Sequence, residues 1–231
     1  MNIETKYFTI SVAAIFAEFG GTAVLLFVGC LGCLGSVPYQ ASVSFGMGLI
    51  TAIQIFGHIS GGHFNPAVTL SAVIFNMLSV PVAIIYVLAQ LVGAIAGHSL
   101  AMFLAPLEHN TRSQGSTFCN TVPQVDDLEA FVAEFFATLL LVLFCCSVWD
   151  SRSEGKRDSV PLKLGMYIFA IVQLVGPMTG ASLNPARTFG PSIINNNWEL
   201  HWMYWVAPML SAVVGTVAYR YLFLEGRTRR N

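Results

Sequence analysis

Two stretches decide how this chain folds: Gly57-His58-Ile59-Ser60-Gly61-Gly62-His63-Phe64-Asn65-Pro66-Ala67-Val68-Thr69 and Thr179-Gly180-Ala181-Ser182-Leu183-Asn184-Pro185-Ala186-Arg187-Thr188-Phe189-Gly190-Pro191. At the centre of each lies Asn-Pro-Ala, as Asn65-Pro66-Ala67 and as Asn184-Pro185-Ala186. Asn is a strong N-cap, its side-chain oxygen accepting from a first-turn N–H, and Pro suits the first helical position, where no N–H is needed. Each motif therefore opens a helix. The apolar residues that follow suffice for about half a membrane span, so each helix is a half-helix. The approaches, Gly61-Gly62-His63-Phe64 and Gly180-Ala181-Ser182-Leu183, read as irregular backbone. At membrane depth such backbone is tolerated only where it lines a watery cavity or is buried in protein. The carbonyls of Gly61, Gly62, His63, Gly180, Ala181 and Ser182 are expected to form a ladder of acceptors. With its oxygen used in capping, each Asn keeps an amide donor for the lumen.

Working outward from the motifs, other residues repeat at a nearly constant offset. Gly46-Met47, Gln54, Gly57 and Gly61 recur 119 residues later as Gly165-Met166, Gln173, Gly176 and Gly180, the separation that also relates Asn65 to Asn184. Ala17-Glu18-Phe19 recurs 116 residues on as Ala133-Glu134-Phe135, and Tyr86, Ala89 and Gly97 recur 118 on as Tyr204, Ala207 and Gly215. The chain reads as one domain over residues 1–231, a duplicated unit with repeat 1 at about 9–105 and repeat 2 at about 130–223. Each unit holds three spans and one re-entrant segment. Because three is odd, the second copy crosses the membrane in the opposite sense, and the interface of such an inverted repeat is the usual place for a solute path.

The composition agrees with a membrane protein. Hydrophobic residues make up 55% and charged residues 10% of the chain, against roughly a quarter charged in soluble domains. No Asp, Glu, Lys or Arg occurs between Glu18 and Glu108. Apolar runs at about 9–34, 41–60, 80–105, 130–149, 162–177 and 201–223 give six spans. The first is too long for a signal-peptide core and carries Glu18. Lys6, Arg152, Lys156, Arg157, Arg227, Arg229 and Arg230 would share one side and Arg112 the other, so the positive-inside rule makes both termini cytoplasmic. A net charge of −1 without a basic patch argues against a nucleic-acid partner. Cys30, Cys33, Cys119, Cys145 and Cys146 form an odd set, four of them in apolar runs, and read as small packing groups, with neither a disulfide framework nor a metal site expected.

On the two motifs and the duplication, the whole of residues 9–223 resembles the aquaporin (major intrinsic protein) family. That resemblance implies an all-α membrane protein: six transmembrane helices plus two re-entrant half-helices meeting at mid-membrane, assembled as a homotetramer with one pore per subunit. It implies a constriction formed by Phe45, Val172, Ala181 and Arg187. Arg187 would donate to the passing solute and repel cations there, the alternative being a side chain that snorkels to the interface. Glu18 and Glu134, symmetric in the repeat, are expected as buried structural acids accepting hydrogen bonds from the re-entrant loops. For the side chains of His58, His98 and His201 a structural role is the simpler reading, and for that of His63 both readings stay open.

One position departs from the strictly water-selective pattern, which carries His where this chain has Val172. Valine is shorter and offers no donor, so the constriction should be wider and more apolar, fit for glycerol or urea as well as water. The Asp that follows the Arg in glycerol facilitators is absent, Thr188 standing there, and Tyr204-Trp205 resembles the aromatic pair of water channels. A water-channel frame with an altered constriction is similar to the entomoglyceroporins, an insect branch of the family. The competing classes are a strictly water-selective channel, a secondary transporter, which would need more intramembrane carboxylates than Glu18 and Glu134, and an adhesion or signalling protein with a vestigial pore. No nucleophile–base pair or metal cluster points to an enzyme, and no cofactor is implied. The membrane is expected to be the cell surface.

Overall fold

The computed structural model describes residues 11–35, 37, 39–106, 118–155 and 157–224. Lys6, Arg112, Lys156, Arg227, Arg229 and Arg230, on which the orientation argument partly rests, lie outside them. Among the described residues there are eight α-helices and no strand: α1 (Val12–Gly32), α2 (Gln40–Ser60), α3 (Pro66–Ile74), α4 (Val80–Leu104), α5 (Asp127–Trp149), α6 (Val160–Thr179), α7 (Pro185–Asn195) and α8 (Met203–Tyr219). Six are long and apolar enough to cross a membrane. The remaining two, α3 and α7, have 9 and 11 residues, about half the length a span requires. The ends follow local chemistry. Ser11 Oγ caps α1 by accepting from Ala14 N at 3.0 Å. Asp127 and Glu129 in the first turn of α5 suit its positive N-terminus and start it ahead of the apolar run.

The polarity is inverted relative to a soluble protein. Glu18, Gln90 and Glu134 are 0% exposed while Phe103 and Leu128 are 75% and 73% exposed, as expected of a bundle whose outer solvent is lipid. Small residues let the helices approach closely. A methyl added to Gly93 would lie 2.3 Å from the Phe19 carbonyl oxygen, and one added to Gly97 would lie 2.2 Å from that of Ala23, which seats α4 on α1. At the repeat interface, Gly46 of α2 and Gly165 of α6 face each other, and a methyl on either would come 2.7 Å from the other's carbonyl oxygen. These two glycines are sequence equivalents, so they mark the pseudo-twofold axis.

The reading of all five cysteines as packing groups is overturned by a Cys30–Cys119 disulfide with Cα atoms 5.3 Å apart. Cys119 is the cysteine outside the apolar runs, and the segment from Phe118 folds back over one end of the bundle, a return that the 89-residue separation conceals. Cys33, Cys145 and Cys146 are free.

Candidate functional site

Helices α2 and α6 both end on glycines in the left-handed region, Gly61 at φ 96° and Gly180 at φ 78°, where a side chain would be strained. The chain then reverses through matching positive-φ residues, Gly62 and Phe64 in one copy and Ala181 and Leu183 in the other. Three of these are not glycine, a strained arrangement that persists only where the surroundings over-determine it. The two buried acids supply that determination. Glu18 accepts from Ser60 Oγ at 2.6 Å, His63 N at 3.0 Å, Phe64 N at 2.8 Å and Gln90 Nε2 at 2.7 Å. Glu134 accepts from Thr179 Oγ1 at 2.6 Å and from Ser182 N and Leu183 N, each at 2.8 Å. Tyr86 and Tyr204 donate in parallel fashion to the carbonyls of Ser60 and Thr179.

The half-helices begin where these loops end. Asn65 Oδ1 accepts from Ala67 N at 2.8 Å, and Asn184 Oδ1 accepts from Ala186 N at 3.0 Å, with Pro66 and Pro185 opening α3 and α7. Capping alone would leave both N–H bonds of each amide free. In the fold one is taken by the opposite repeat: Asn65 Nδ2 donates to the Leu183 carbonyl at 2.9 Å and Asn184 Nδ2 to the Phe64 carbonyl at 2.8 Å. The reciprocal pair locks the two N-termini together and leaves one N–H of each amide over. Among the described residues, no protein donor reaches the carbonyls of Gly61, Gly62, His63, Ala181 or Ser182.

A cavity of about 60 Å³ runs along these loops. At roughly 10–15 Å³ per water on this measure, it holds a short file of small molecules and no wide vestibule. Its polar side carries Gly62, His63, Asn65, Ala181, Ser182, Asn184 and Arg187. Its apolar side comes from α2 and α6 in matched positions, Phe45, Leu49 and Ile53 facing their equivalents Leu164, Ile168 and Val172. This apolar stripe is largely absent from the sequence reading, although both sets keep helical i, i+4, i+8 spacing at an offset of 119 residues.

Arg187 is 5% exposed and breaks the symmetry, since its equivalent is Val68. Its guanidinium carbon lies 4.6 Å from the Phe45 ring centroid, Nη1 donates to the Cys119 carbonyl at 2.7 Å, and Nη2 reaches the Gly180 carbonyl at 3.5 Å. The role of Cys119 is invisible in the sequence. The structure thus brings Phe45, Val172, Ala181 and Arg187 to one cavity, with Pro66, Ala67, Pro185 and Ala186 buried in the half-helices beside it. His63 also lines it, its Nδ1 3.2 Å from Thr69 Oγ1, whereas His58 lies apart, His98 stacks on Phe118 beside the Cys30–Cys119 bridge, and His201 packs on Trp198.

Residues 5–219 match the profile of the family described as Major intrinsic protein. The lens fiber major intrinsic protein of Ovis aries is 38% identical over 216 residues, 90% of this chain and 80% of that protein. Aquaporin-5 of Mus musculus is 40% identical over 219 residues, again 90% of this chain and 80% of that protein. Among solved structures, the aquaglyceroporin from Plasmodium falciparum aligns at TM-score 0.75 and 24% identity, covering 90% of this chain and 95% of that one, a likeness of fold.

Proposed function

The chain belongs to the major intrinsic protein family of membrane channels, and from that premise we propose that it passes water and small uncharged solutes, glycerol and urea among them, while excluding protons and ions. The observation that carries the finer reading is the two-sided cavity. One wall offers unpaired carbonyls, two Asn amides and Arg187, and the other is aliphatic through Leu49, Ile53, Leu164, Ile168 and Val172. Polyols and urea need both: acceptors and donors for their hydroxyl or amide groups, and apolar surface for the remaining face. Val172 supplies apolar surface where an imidazole would narrow the passage.

Ion exclusion follows from the same parts, by a logic common to aquaporin-type pores. The N-termini of α3 and α7 each present roughly half a positive charge, and Arg187 adds a full one, so a cation meets repulsion with no carboxylate among the described residues that line the cavity to offset it. A water molecule accepting from Asn65 and Asn184 turns its hydrogens outward, which interrupts a proton wire. The loop carrying Arg152 and Arg157 is cytoplasmic in this reading, the Arg187 end faces outside, the cell surface is the membrane, and four copies assemble with a pore in each. The family's members are channels and no enzymatic step is invoked.

The test is a side-by-side flux assay in proteoliposomes without an ion gradient, with water, glycerol and urea as permeants. Water flux with no glycerol or urea flux above empty liposomes would reduce the reading to a strictly water-selective channel. Solute movement only in the presence of an ion gradient would instead make the protein a coupled carrier.

A further inference from the structure

Two neighbouring residues of α1 hold the surroundings of Arg187. Gly29 gives room to the Phe45 ring, whose nearest atom would lie 2.3 Å from a methyl added there, and Phe45 is the face on which the guanidinium rests. Cys30, fully buried, is bonded to Cys119, whose carbonyl accepts from Arg187 Nη1 at 2.7 Å. The rest of this crossing segment is tied down on either side of Cys119. Asn195 Nδ2 donates to the Phe118 carbonyl at 2.9 Å, Thr121 Oγ1 lies 2.9 Å from Thr188 Oγ1, and Gln124 N donates to the Met178 carbonyl at 2.8 Å. Cys119 itself sits at φ 62°, a left-handed conformation that a residue with a β-carbon leaves unless something retains it. Two contacts retain that residue, the Arg187 hydrogen bond to its carbonyl and the bridge to Cys30, and the bridge is the covalent one.

We propose that the Cys30–Cys119 disulfide is a redox-sensitive positioning device for Arg187, so that ion exclusion and solute discrimination depend on whether the bridge is closed. The inference rests on the reading of Arg187 as the cation barrier. Reduction is a two-electron exchange: a thiolate of a dithiol attacks one bridge sulfur, and its second thiol displaces the mixed disulfide. The dithiol leaves as a cyclic disulfide, and Cys30 and Cys119 gain one proton each. Cys119 then relaxes towards negative φ and its carbonyl turns away from Nη1. The guanidinium, held from below by the weaker Gly180 contact at 3.5 Å, gains freedom to swing back from Phe45. A move of the charge from roughly 4–5 Å to roughly 7 Å off a passing cation lowers the repulsion enough to raise cation leak on the order of tenfold, at an effective dielectric of about 20.

The experiment compares oxidised and dithiol-treated wild-type protein in proteoliposomes, alongside Cys30→Ala/Cys119→Ala and Arg187→Val. Peptide mapping under non-reducing conditions reports the bridge, thiol counting reports its reduction, and the readouts are the proton-to-water and glycerol-to-water flux ratios. A merely structural bridge changes the amount of folded protein but leaves these ratios alone. The expected result is a raised proton-to-water ratio in reduced wild type, the same rise in the double variant without treatment, and no further response of the double variant to dithiol. Absence of the bridge in oxidised protein overturns the proposal, as do unchanged ratios in the double variant or in wild type whose thiols count as reduced while Arg187→Val shifts them. If Arg187→Val also leaves the ratios unchanged, it is the reading of Arg187 as the barrier that fails, and the proposal with it.

Discussion

Replacing Arg187 by Val tests the electrostatic half of the mechanism most directly. The guanidinium stacks on the Phe45 ring, 4.6 Å from carbon to centroid, and both side chains line the same narrow cavity, so a cation passing alongside comes within about 4–5 Å of the charge. At an effective dielectric of about 20, repulsion between unit charges roughly 4–5 Å apart is ~4 kcal/mol. Losing it raises cation passage by roughly 10²–10³, since each 1.4 kcal/mol is about tenfold. The fold should tolerate the change: the Cys119 and Gly180 carbonyls that lose donors lie beside the cavity, where water can satisfy them, at a cost of about 1 kcal/mol. Stopped-flow light scattering measures water flux and an entrapped pH dye measures proton leak in the same liposomes. Arg187→Lys is the companion: it keeps the charge but loses the planar stack on Phe45, so its proton leak should lie between those of wild type and Arg187→Val. Proton leak within about twofold of wild type, in an Arg187→Val protein that still conducts water, would refute the calculation. The two half-helix N-termini would then suffice by themselves.

Four further outcomes can be measured. Val172→His restores a donor and bulk beside Arg187, so glycerol and urea flux should fall steeply while water flux survives; equal effects on all three would remove Val172 from the selectivity argument. Gly29→Ala places a methyl 2.3 Å from Phe45, which either pushes the ring into the cavity or costs about 1–3 kcal/mol of strain, and solute flux should drop more than water flux. Glu18→Gln or Glu134→Gln turns one acceptor oxygen into a donor facing a loop N–H, at about 1–3 kcal/mol each, so both thermal unfolding midpoints in detergent should fall. Asp150, beyond the end of α5, is held by Arg152 hydrogen bonds that lower its pKa from 3.8 to about 2. A depressed acid contributes stability that is present above its unfolded pKa and lost as pH falls through the folded one. The protection of residues 150–153 against hydrogen exchange, relative to the intrinsic rate at each pH, should therefore fall between about pH 4 and pH 2 in wild type, and not in Asp150→Asn, where the group cannot titrate.

What was legible in the sequence is what local chemistry and duplication encode. Asn65-Pro66 and Asn184-Pro185 announce helix starts through capping alone, and the 119-residue offset pairs Gly61 with Gly180, the two glycines that end α2 and α6. The cavity's apolar stripe was harder to see for a physical reason. In a lipid-embedded helix a Leu facing the cavity and a Leu facing the bilayer are the same letter, so Leu49 and Leu164 carry no amphipathic contrast against Leu88 or Leu174. Cys119 was illegible for another: the segment over the cavity mouth has no periodicity, and its placement is set by single contacts to Asn195, Thr188 and Arg187 on a distant helix. Gln90 on Glu18 belongs to the same class, since its equivalent in the second repeat is Pro208 and duplication gives no cue.

The duplication also explains where selectivity has to reside. Two inverted copies build a frame in which Glu18 and Glu134, Ser60 and Thr179, Tyr86 and Tyr204, and Asn65 and Asn184 make paired contacts, so these positions treat a solute alike from either face. Discrimination localised to one end must come from positions where the copies differ. The cavity-lining pairs that differ are Phe45 against Leu164, Leu49 against Ile168, Ile53 against Val172, Gly62 against Ala181, His63 against Ser182, Phe64 against Leu183, and Val68 against Arg187. Of these only Arg187 changes charge, and it is the one served by a carbonyl from outside the repeat, that of Cys119. A guanidinium at position 68 would have no such partner, because the segment from Phe118 crosses the other end of the bundle. The Arg187 charge, the aromatic face beside it and the bridged segment that supports it therefore form one unit, added to a symmetric frame at the end to which the proposed function assigns the choice of solute.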